Sequence, residues 1–327
     1  MSNTLINVIN TLKVPKVILR YIIMNFLDLL TIKKLLLIVK EMNVLDNYSK
    51  QLLEMANKGI RWNCEQGNLI VVKWLYSFGK INKKRAHSNN RRAFRWSCEY
   101  GHLSLAKWLL GLGNIDIHAD NEYAFRFCCA KGNLTVAQWL YSLGNVNIHI
   151  DNEYAFRFCC AKGYLTVAQW LYSLGNVNIH IDNEYAFRWS YKNNHLDVAK
   201  WLYSLGNVNI HADGYCAFQW SCESGHITLA KWFYSLGDIN IHANYQHAFS
   251  MSCRHGHLIV AKWLYSTGQV NIHANDEYAF RYACFNCFLT VAQWLYSLGN
   301  VNIHAKNDYV FRASTKKVSR WLNKLTN

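Results

Sequence analysis

Residues 121–151 read NEYAFRFCCAKGNLTVAQWLYSLGNVNIHID, and residues 152–182 repeat them with one change, Asn133 to Tyr164. Two nearly identical neighbours cannot divide the roles of one enzyme pocket between them. Each must be a unit that stacks on the next. Outward from this pair, tryptophan measures the array. Trp74, Trp108, Trp139, Trp170, Trp201, Trp232, Trp263 and Trp294 lie 34 and then six times 31 residues apart, and Trp321 follows after 27. His118, His149, His180, His211, His242, His273 and His304 keep the 31-residue period, as do Phe94, Phe125, Phe156, Phe187, Phe218, Phe249 and Phe280. A fixed period of this size is the mark of a repeat architecture.

The unit from Ala93 to Gly113 shows what is repeated. Phe94, Ser97 and Cys98 fall at i, i+3 and i+4, one face of a short helix. Gly101 ends it as a left-handed cap. Leu103, Leu105, Ala106, Leu109 and Leu110 mark a second helix, stopped by Gly113, and the connector Asn114–Glu122 is too short for a third. Helices of this length are marginal in water, so stacking must supply the buried face. Cys98, Cys129, Cys160, Cys222, Cys253 and Cys284 share one position in the first helix, where a small apolar residue is needed. Cys287 stands where other units have the turn glycine, so the Cys284/Cys287 spacing arises from repeat drift and not from a redox motif. The tryptophans occupy a leucine position and are expected in the core. The Lys or Gln before each of them (Lys107, Gln138, Gln169, Lys200, Lys231, Lys262, Gln293) is expected in solvent.

The unit resembles an ankyrin repeat. Gly101-His102-Leu103 followed by Leu105-Ala106-Lys107-Trp108-Leu109-Leu110 is similar to the family's G-H-L-x-V-V-x-L-L-L segment, and Asn145-Val146-Asn147 is similar to its D-V-N. The likeness covers residues 58–327. Tyr123-Ala124-Phe125-Arg126 stands where the family has T-P-L-H, and the period of 31 implies shorter connectors than usual. In repeat style the chain is similar to the ankyrin arrays encoded by large DNA viruses of amoebae, which implies the host cytoplasm as its setting. The resemblance implies an all-α, ankyrin-type helical solenoid: a helical N-terminal region over 1–57, about eight units over 58–309, and a truncated capping unit over 310–327. It also implies a monomeric, non-enzymatic scaffold for protein–protein interaction.

Composition agrees. Hydrophobic residues make up 51% of 327, which excludes a disordered chain, and a single proline, Pro15, excludes proline-rich and collagen-like classes. The formal charge of +15 is uneven: residues 1–92 carry +11, residues 306–327 carry +5, and the middle carries −1. A neutral middle argues against a nucleic-acid track along the array, so nucleic acid is not expected as the main partner, and binding of nucleic acid or an anionic surface through the basic ends stands as a third reading. The 11 cysteines are odd in number and lack framework spacing, the N-terminus lacks a secretory pattern, and Arg20, Asp28, Lys33 and Lys34 interrupt the apolar stretch Val17–Val39. A soluble, cytoplasmic protein with no membrane span is therefore expected.

Both ends differ from the array. Val14-Pro15-Lys16-Val17-Ile18-Leu19, then Phe26-Leu27-Asp28, then Ile32, Leu35, Leu36, Ile38, Val39 and Lys40 resemble an F-box, which implies docking to the adaptor of a cullin-type ubiquitin ligase. Pro15, Ile18, Leu19, Phe26, Leu27 and Leu35 are the candidate adaptor contacts. Val17 replaces the usual acidic residue, and the alternative is a helical cap. Lys80, Lys83, Lys84, Arg85, Arg91 and Arg92 read as a solvated loop. Lys316, Lys317, Arg320 and Lys324 read as the polar face of the last repeat.

No Gly-rich phosphate loop, paired carboxylates or nucleophile–base pair occurs, so neither catalysis nor a cofactor is expected. The periodic histidines do not form a metal site. Packed helices lie about 8–10 Å apart, whereas zinc ligands converge at about 2.0–2.3 Å, so these residues are expected to make turn hydrogen bonds. The remaining candidate is a surface. First-helix ends drift from unit to unit: Glu99-Tyr100, Lys131, Lys162, Lys192-Asn193, Glu223 and Arg254-His255. The connector tips Asp120/Glu122, Asp151/Glu153 and Asp182/Glu184 form an acidic row that either faces a basic partner or is simply solvated.

Overall fold

A computed structural model describes residues 58–77, 86–113, 115–212, 217–237, 241–313 and 315–326. The F-box-like segment with Pro15, Ile18, Leu19, Phe26, Leu27 and Leu35, and the basic stretch 80–85, lie outside the described residues. By compactness the chain divides into Met1–Ala155 and Phe156–Asn327. Every described element is a helix, and they alternate first and second within each repeat. The run is α1 (Gly59–Glu65), α2 (Leu69–Ser77), α3 (Ala86–Glu99), α4 (Leu103–Gly111), α5 (Ala119–Ala130), α6 (Leu134–Ser142) and α7 (Ile150–Ala161). It continues with α8 (Leu165–Ser173), α9 (Ile181–Lys192), α10 (Leu196–Ser204), α11 (Ala217–Glu223), α12 (Ile227–Ser235), α13 (Ile241–Arg254) and α14 (Leu258–Ser266). It closes with α15 (Ala274–Phe285), α16 (Leu289–Ser297), α17 (Ala305–Ala313) and α18 (Lys316–Thr326). This is the helical-repeat solenoid expected from the sequence. No described helix is long and apolar enough to cross a membrane.

The turn between the two helices of a repeat is built by glycine and then used by the next repeat. Gly101 has φ 83°; its N–H donates to Cys98 O at 3.1 Å and the His102 N–H donates to Ser97 O at 2.8 Å. That paired bonding is a Schellman cap, which takes up the helix's last carbonyls. A Cβ on Gly101 would lie 2.5 Å from Asn133 Oδ1 of the following repeat. Asn133 sits there because its Nδ2 donates to Glu99 O at 2.7 Å; one repeat earlier His102 Nε2 donates to Glu65 O at 2.7 Å. In Phe156–Asn327 the equivalent carbonyls are also reached from the residue before the next turn: Asn193 Nδ2 donates to Ala161 O and Asn286 Nδ2 to Arg254 O. Two of these turns tolerate a side chain in the left-handed region, Asn194 at φ 63° and Cys287 at φ 67°.

The core repeats the same side chains. Phe94 and Phe125 in the first unit, and Phe187, Phe218, Phe249 and Phe280 in the second, are at most 1% exposed. Each contributes about 1.5–3 kcal/mol of burial. Cys98, Cys129, Cys160, Cys222, Cys253 and Cys284 are buried beside them, as the shared position predicts.

The tryptophans depart from expectation. They are half-buried, because the next residue (Leu109, Leu140, Leu171, Leu202) fills the core position. The indoles instead bridge repeats, packing against a preceding second-helix tyrosine, a preceding phenylalanine, or both. Tyr76–Trp108 and Phe94–Trp139 lie at 5.3 and 6.3 Å in the first unit. Tyr172–Trp201 and Phe156–Trp201 lie at 5.8 and 6.1 Å in the second. Trp321 of α18 keeps this register against Tyr296 and Phe280, so the shortened last repeat still covers the core, with Val318 and Leu322 buried beneath it.

Candidate functional site

The connector ends in a conformation that the sequence pattern did not announce. Asp120, Asn121 and Glu122 all lie in the left-handed region, with φ near 55–57°, and the Glu122 N–H donates to His118 O at 3.1 Å. The same left-handed turn recurs at 151–153, 182–184, 275–277 and 306–308. Consecutive left-handed residues cost about 1–2 kcal/mol each, less for Asp and Asn. The cost is offset locally. Arg126 Nε and Nη2 donate to Asn121 O and Asp120 O at 2.5 and 3.1 Å. In the second unit Arg281 makes the same pair to Asp276 O and Asn275 O, at 2.6 and 3.1 Å.

This turn overturns the reading of Glu122, Glu153 and Glu184 as an exposed acidic row. They are only 5–6% exposed, because the left-handed turn swings the third residue of the tip inward. Glu122 Oε1 accepts from His118 Nδ1 at 2.8 Å and from the Asn147 N–H of the next connector at 3.3 Å. Glu184 accepts in the same way from His180 and Asn209. His118, His149, His180 and His273 therefore make turn hydrogen bonds onto the glutamate four residues on, and His304 makes one onto Asp308. Among the described residues no group of three or more His, Cys, Asp or Glu is placed to hold a metal.

The aspartates of the tips are exposed but paired. Asp120 meets Arg95, Asp151 meets Arg126 Nη1 at 2.5 Å, and Asp182 meets Arg157 Nη1 at 2.5 Å. Each arginine also lies over the tyrosine of that tip's repeat: Arg95 over Tyr123, Arg126 over Tyr154, and Arg157 over Tyr185, at 5.0, 4.8 and 4.8 Å. The tips thus hold consecutive repeats together. They are not a free acidic face.

The first-helix ends remain at the surface. Tyr100 is 42% exposed, with Lys131 Nζ 5.6 Å above its ring. Glu99 is half-buried, accepts from Tyr123 Oη at 3.3 Å and faces Lys131 Nζ at 3.8 Å. Lys162 is exposed, Lys192 lies 5.8 Å over the Trp189 ring, and Asn193 is exposed while its amide caps α7. Glu223 pairs with His255 at 3.3 Å, and Arg254 is half-buried, donating to Tyr278 Oη at 2.9 Å.

Sequence reasoning missed an aromatic stripe on the same face. It is built from the residue two before and two after each repeat phenylalanine. Tyr123 stacks on Phe127 at 4.1 Å, and Phe127 meets Tyr154 at 5.5 Å. In the second unit Phe158–Tyr185 and Tyr185–Trp189 lie at 5.8 Å, and Tyr278–Tyr282 at 4.2 Å. The signal was present as Trp96, Phe127, Phe158, Trp189, Trp220 and Tyr282 at one register of the first helix.

Residues 156–244 match the family of ankyrin repeats, in three copies. That match falls on α7 to α13, the run of alternating helices described above. No curated protein matches the chain.

Proposed function

We propose that the chain is a non-enzymatic scaffold that binds a protein partner on the surface of its first helices. Ankyrin repeats support the general role of protein interaction. One observation carries the finer assignment. Large apolar side chains stand exposed on or directly after first helices whose buried positions stay fixed. Tyr100, Trp189 and Phe285 are 42%, 39% and 44% exposed, and the equivalents of Tyr100 are Lys131, Lys162, Asn193, Ser224, His255 and Asn286. An aromatic side chain held at a surface beside a cation, as Tyr100 is beside Lys131 and Trp189 beside Lys192, is the composition of an interface anchor. The inward-turned glutamates are not part of this surface.

The test is quantitative capture from a eukaryotic lysate by the full chain and by its Trp189→Ala and Phe285→Ala variants. Truncating an interface anchor costs at least about 2 kcal/mol, roughly thirtyfold in affinity, so at least one captured protein should be lost from one variant while its unfolding midpoint stays within about a degree of the parent. Unchanged capture by both variants refutes the assignment.

The F-box-like segment favours a second reading, a substrate receptor that joins a bound protein to a cullin-type ligase. Leu19→Asp with Phe26→Asp in the full chain should then abolish co-capture of the ligase adaptor and leave capture through the first helices intact. Absence of the adaptor from the unaltered chain's partners refutes this reading.

A further inference from the structure

The second helices of Phe156–Asn327 carry a charge pattern that neither the aromatic stripe nor the capping role uses. Lys200, Lys231 and Lys262 occupy the same register of α10, α12 and α14, immediately before the bridging tryptophans, and all three are exposed. Arg320 holds that register in α18, where Lys316, Lys317 and Lys324 are exposed around it. The second helices of this unit therefore carry seven cations and a single acid, Asp197. None of the seven meets a carboxylate among the described residues. Apart from Asp197, the described acids of this unit are engaged elsewhere: Asp182 by Arg157, Glu184 by His180, Glu223 by His255, Asp276 by Lys306, Glu277 by His273, and Asp308 by His304. Between the lysines, Tyr203, Tyr234 and Tyr265 expose 36–39% of their surface, giving the ridge apolar ground between its charges.

The spacing selects among anions. Packed helices lie about 8–10 Å apart, so the three lysines recur at about that interval. A polyproline-II segment has three residues per turn and rises about 3.1 Å per residue, so its side chains at i, i+3 and i+6 line one side about 9.3 Å apart. Duplex DNA instead places a charge every ~1.7 Å of its axis, far denser than the ridge can match. We propose that the second-helix ridge of Phe156–Asn327 docks an acidic, polyproline-II-like polypeptide segment, with carboxylates at every third residue meeting Lys200, Lys231 and Lys262. The surface is separate from the first-helix face.

The experiment uses the full chain and fluorescence anisotropy at low salt. The probe is a labelled twelve-residue peptide of repeated Glu-Pro-Ala. Its controls are a peptide of identical composition with the glutamates in one block, and a twelve-nucleotide single-stranded DNA. The variant is Lys200→Gln with Lys231→Gln and Lys262→Gln. Glutamine already holds this register at Gln169 and Gln293, so the fold accepts it, and an unchanged unfolding midpoint verifies that. Three exposed ion pairs together are worth about tenfold, so the triple variant should bind the registered peptide about tenfold more weakly. The block peptide should bind the unaltered chain about fivefold more weakly than the registered one. Equal binding of the two peptides, unchanged affinity in the triple variant, or a larger loss for the DNA than for the registered peptide overturns the proposal.

Discussion

Two glycines of the first compact unit separate conformation from contact. Gly101 and Gly113 both end helices in the left-handed region, at φ 83° and 81°. A Cβ on Gly113 meets nothing within 4 Å, whereas one on Gly101 falls 2.5 Å from Asn133 Oδ1. Alanine in the left-handed region costs about 1–2 kcal/mol, and the stiffer unfolded chain returns about 0.4–1 kcal/mol. Gly113→Ala should therefore destabilise by about 1 kcal/mol. Gly101→Ala carries the same cost and must also displace Asn133, breaking its 2.7 Å bond to Glu99 O and leaving a half-buried amide and a helix-end carbonyl to find water. A half-buried hydrogen bond of this kind contributes about 1 kcal/mol, bringing the total to about 2 kcal/mol. Urea denaturation followed by tryptophan fluorescence should show a midpoint shift for Gly101→Ala about twice that for Gly113→Ala, at equal slope. In the double variant Gly101→Ala with Asn133→Ala, the added cost of the glycine change should fall back to about 1 kcal/mol. Equal shifts for the two single variants would refute the claim that the turn glycine is required by the next repeat as well as by its own φ.

Three further outcomes follow from the same structure. Cys287→Gly, at an exposed turn with φ 67°, should stabilise the chain by about 0.5–1 kcal/mol, read as a higher unfolding midpoint. Burial pushes the thiols of Cys64 and Cys284 up to about 12 from 9.0, so their contribution to stability is complete below pH 9 and is lost as pH rises from 9 toward 12; Cys284→Ala should flatten part of that alkaline loss in a denaturation series. Burial lowers the titration of His195, His226 and His257 below 6.5, so the stability they contribute is present above pH 6.5 and lost as pH falls below it. His257→Asn, which places at this turn the residue found at Asn133, should reduce the acid loss between pH 6.5 and 5.

The repeat, the helix pair and the buried positions were legible because each rests on a local rule applied many times over. Phe94, Cys98, Gly101 and Leu105 recur at fixed offsets, and only one packing buries them all. The tryptophans were misjudged because periodicity gives the face of a helix but not its depth. Leu109 and Trp108 are adjacent in sequence, and the structure gives the core to the leucine and the seam between repeats to the indole. The connector was the least legible part. Asp120-Asn121-Glu122 looks like a solvated tip, and nothing in the pattern says that three consecutive residues turn left-handed. Once they do, Glu122 points at His118 and Asn147 instead of at solvent.

That inward turn also changes how the charge of the array is read. Residues 93–305 sum to −1, which argues against a nucleic-acid track along the array. The described acids of the second unit lie mainly on connectors and first-helix ends, where basic residues of the same or the adjoining repeat hold most of them. Lys200, Lys231 and Lys262 belong to the same near-zero sum, yet no carboxylate of the described residues reaches them. Ion pairs that join repeats are short-ranged, and the charges they cancel contribute little to the field a partner meets. What remains is set by the unpaired groups. A chain whose sequence balances can therefore present one cationic ridge, and the internal pairing of the connectors is what exposes it.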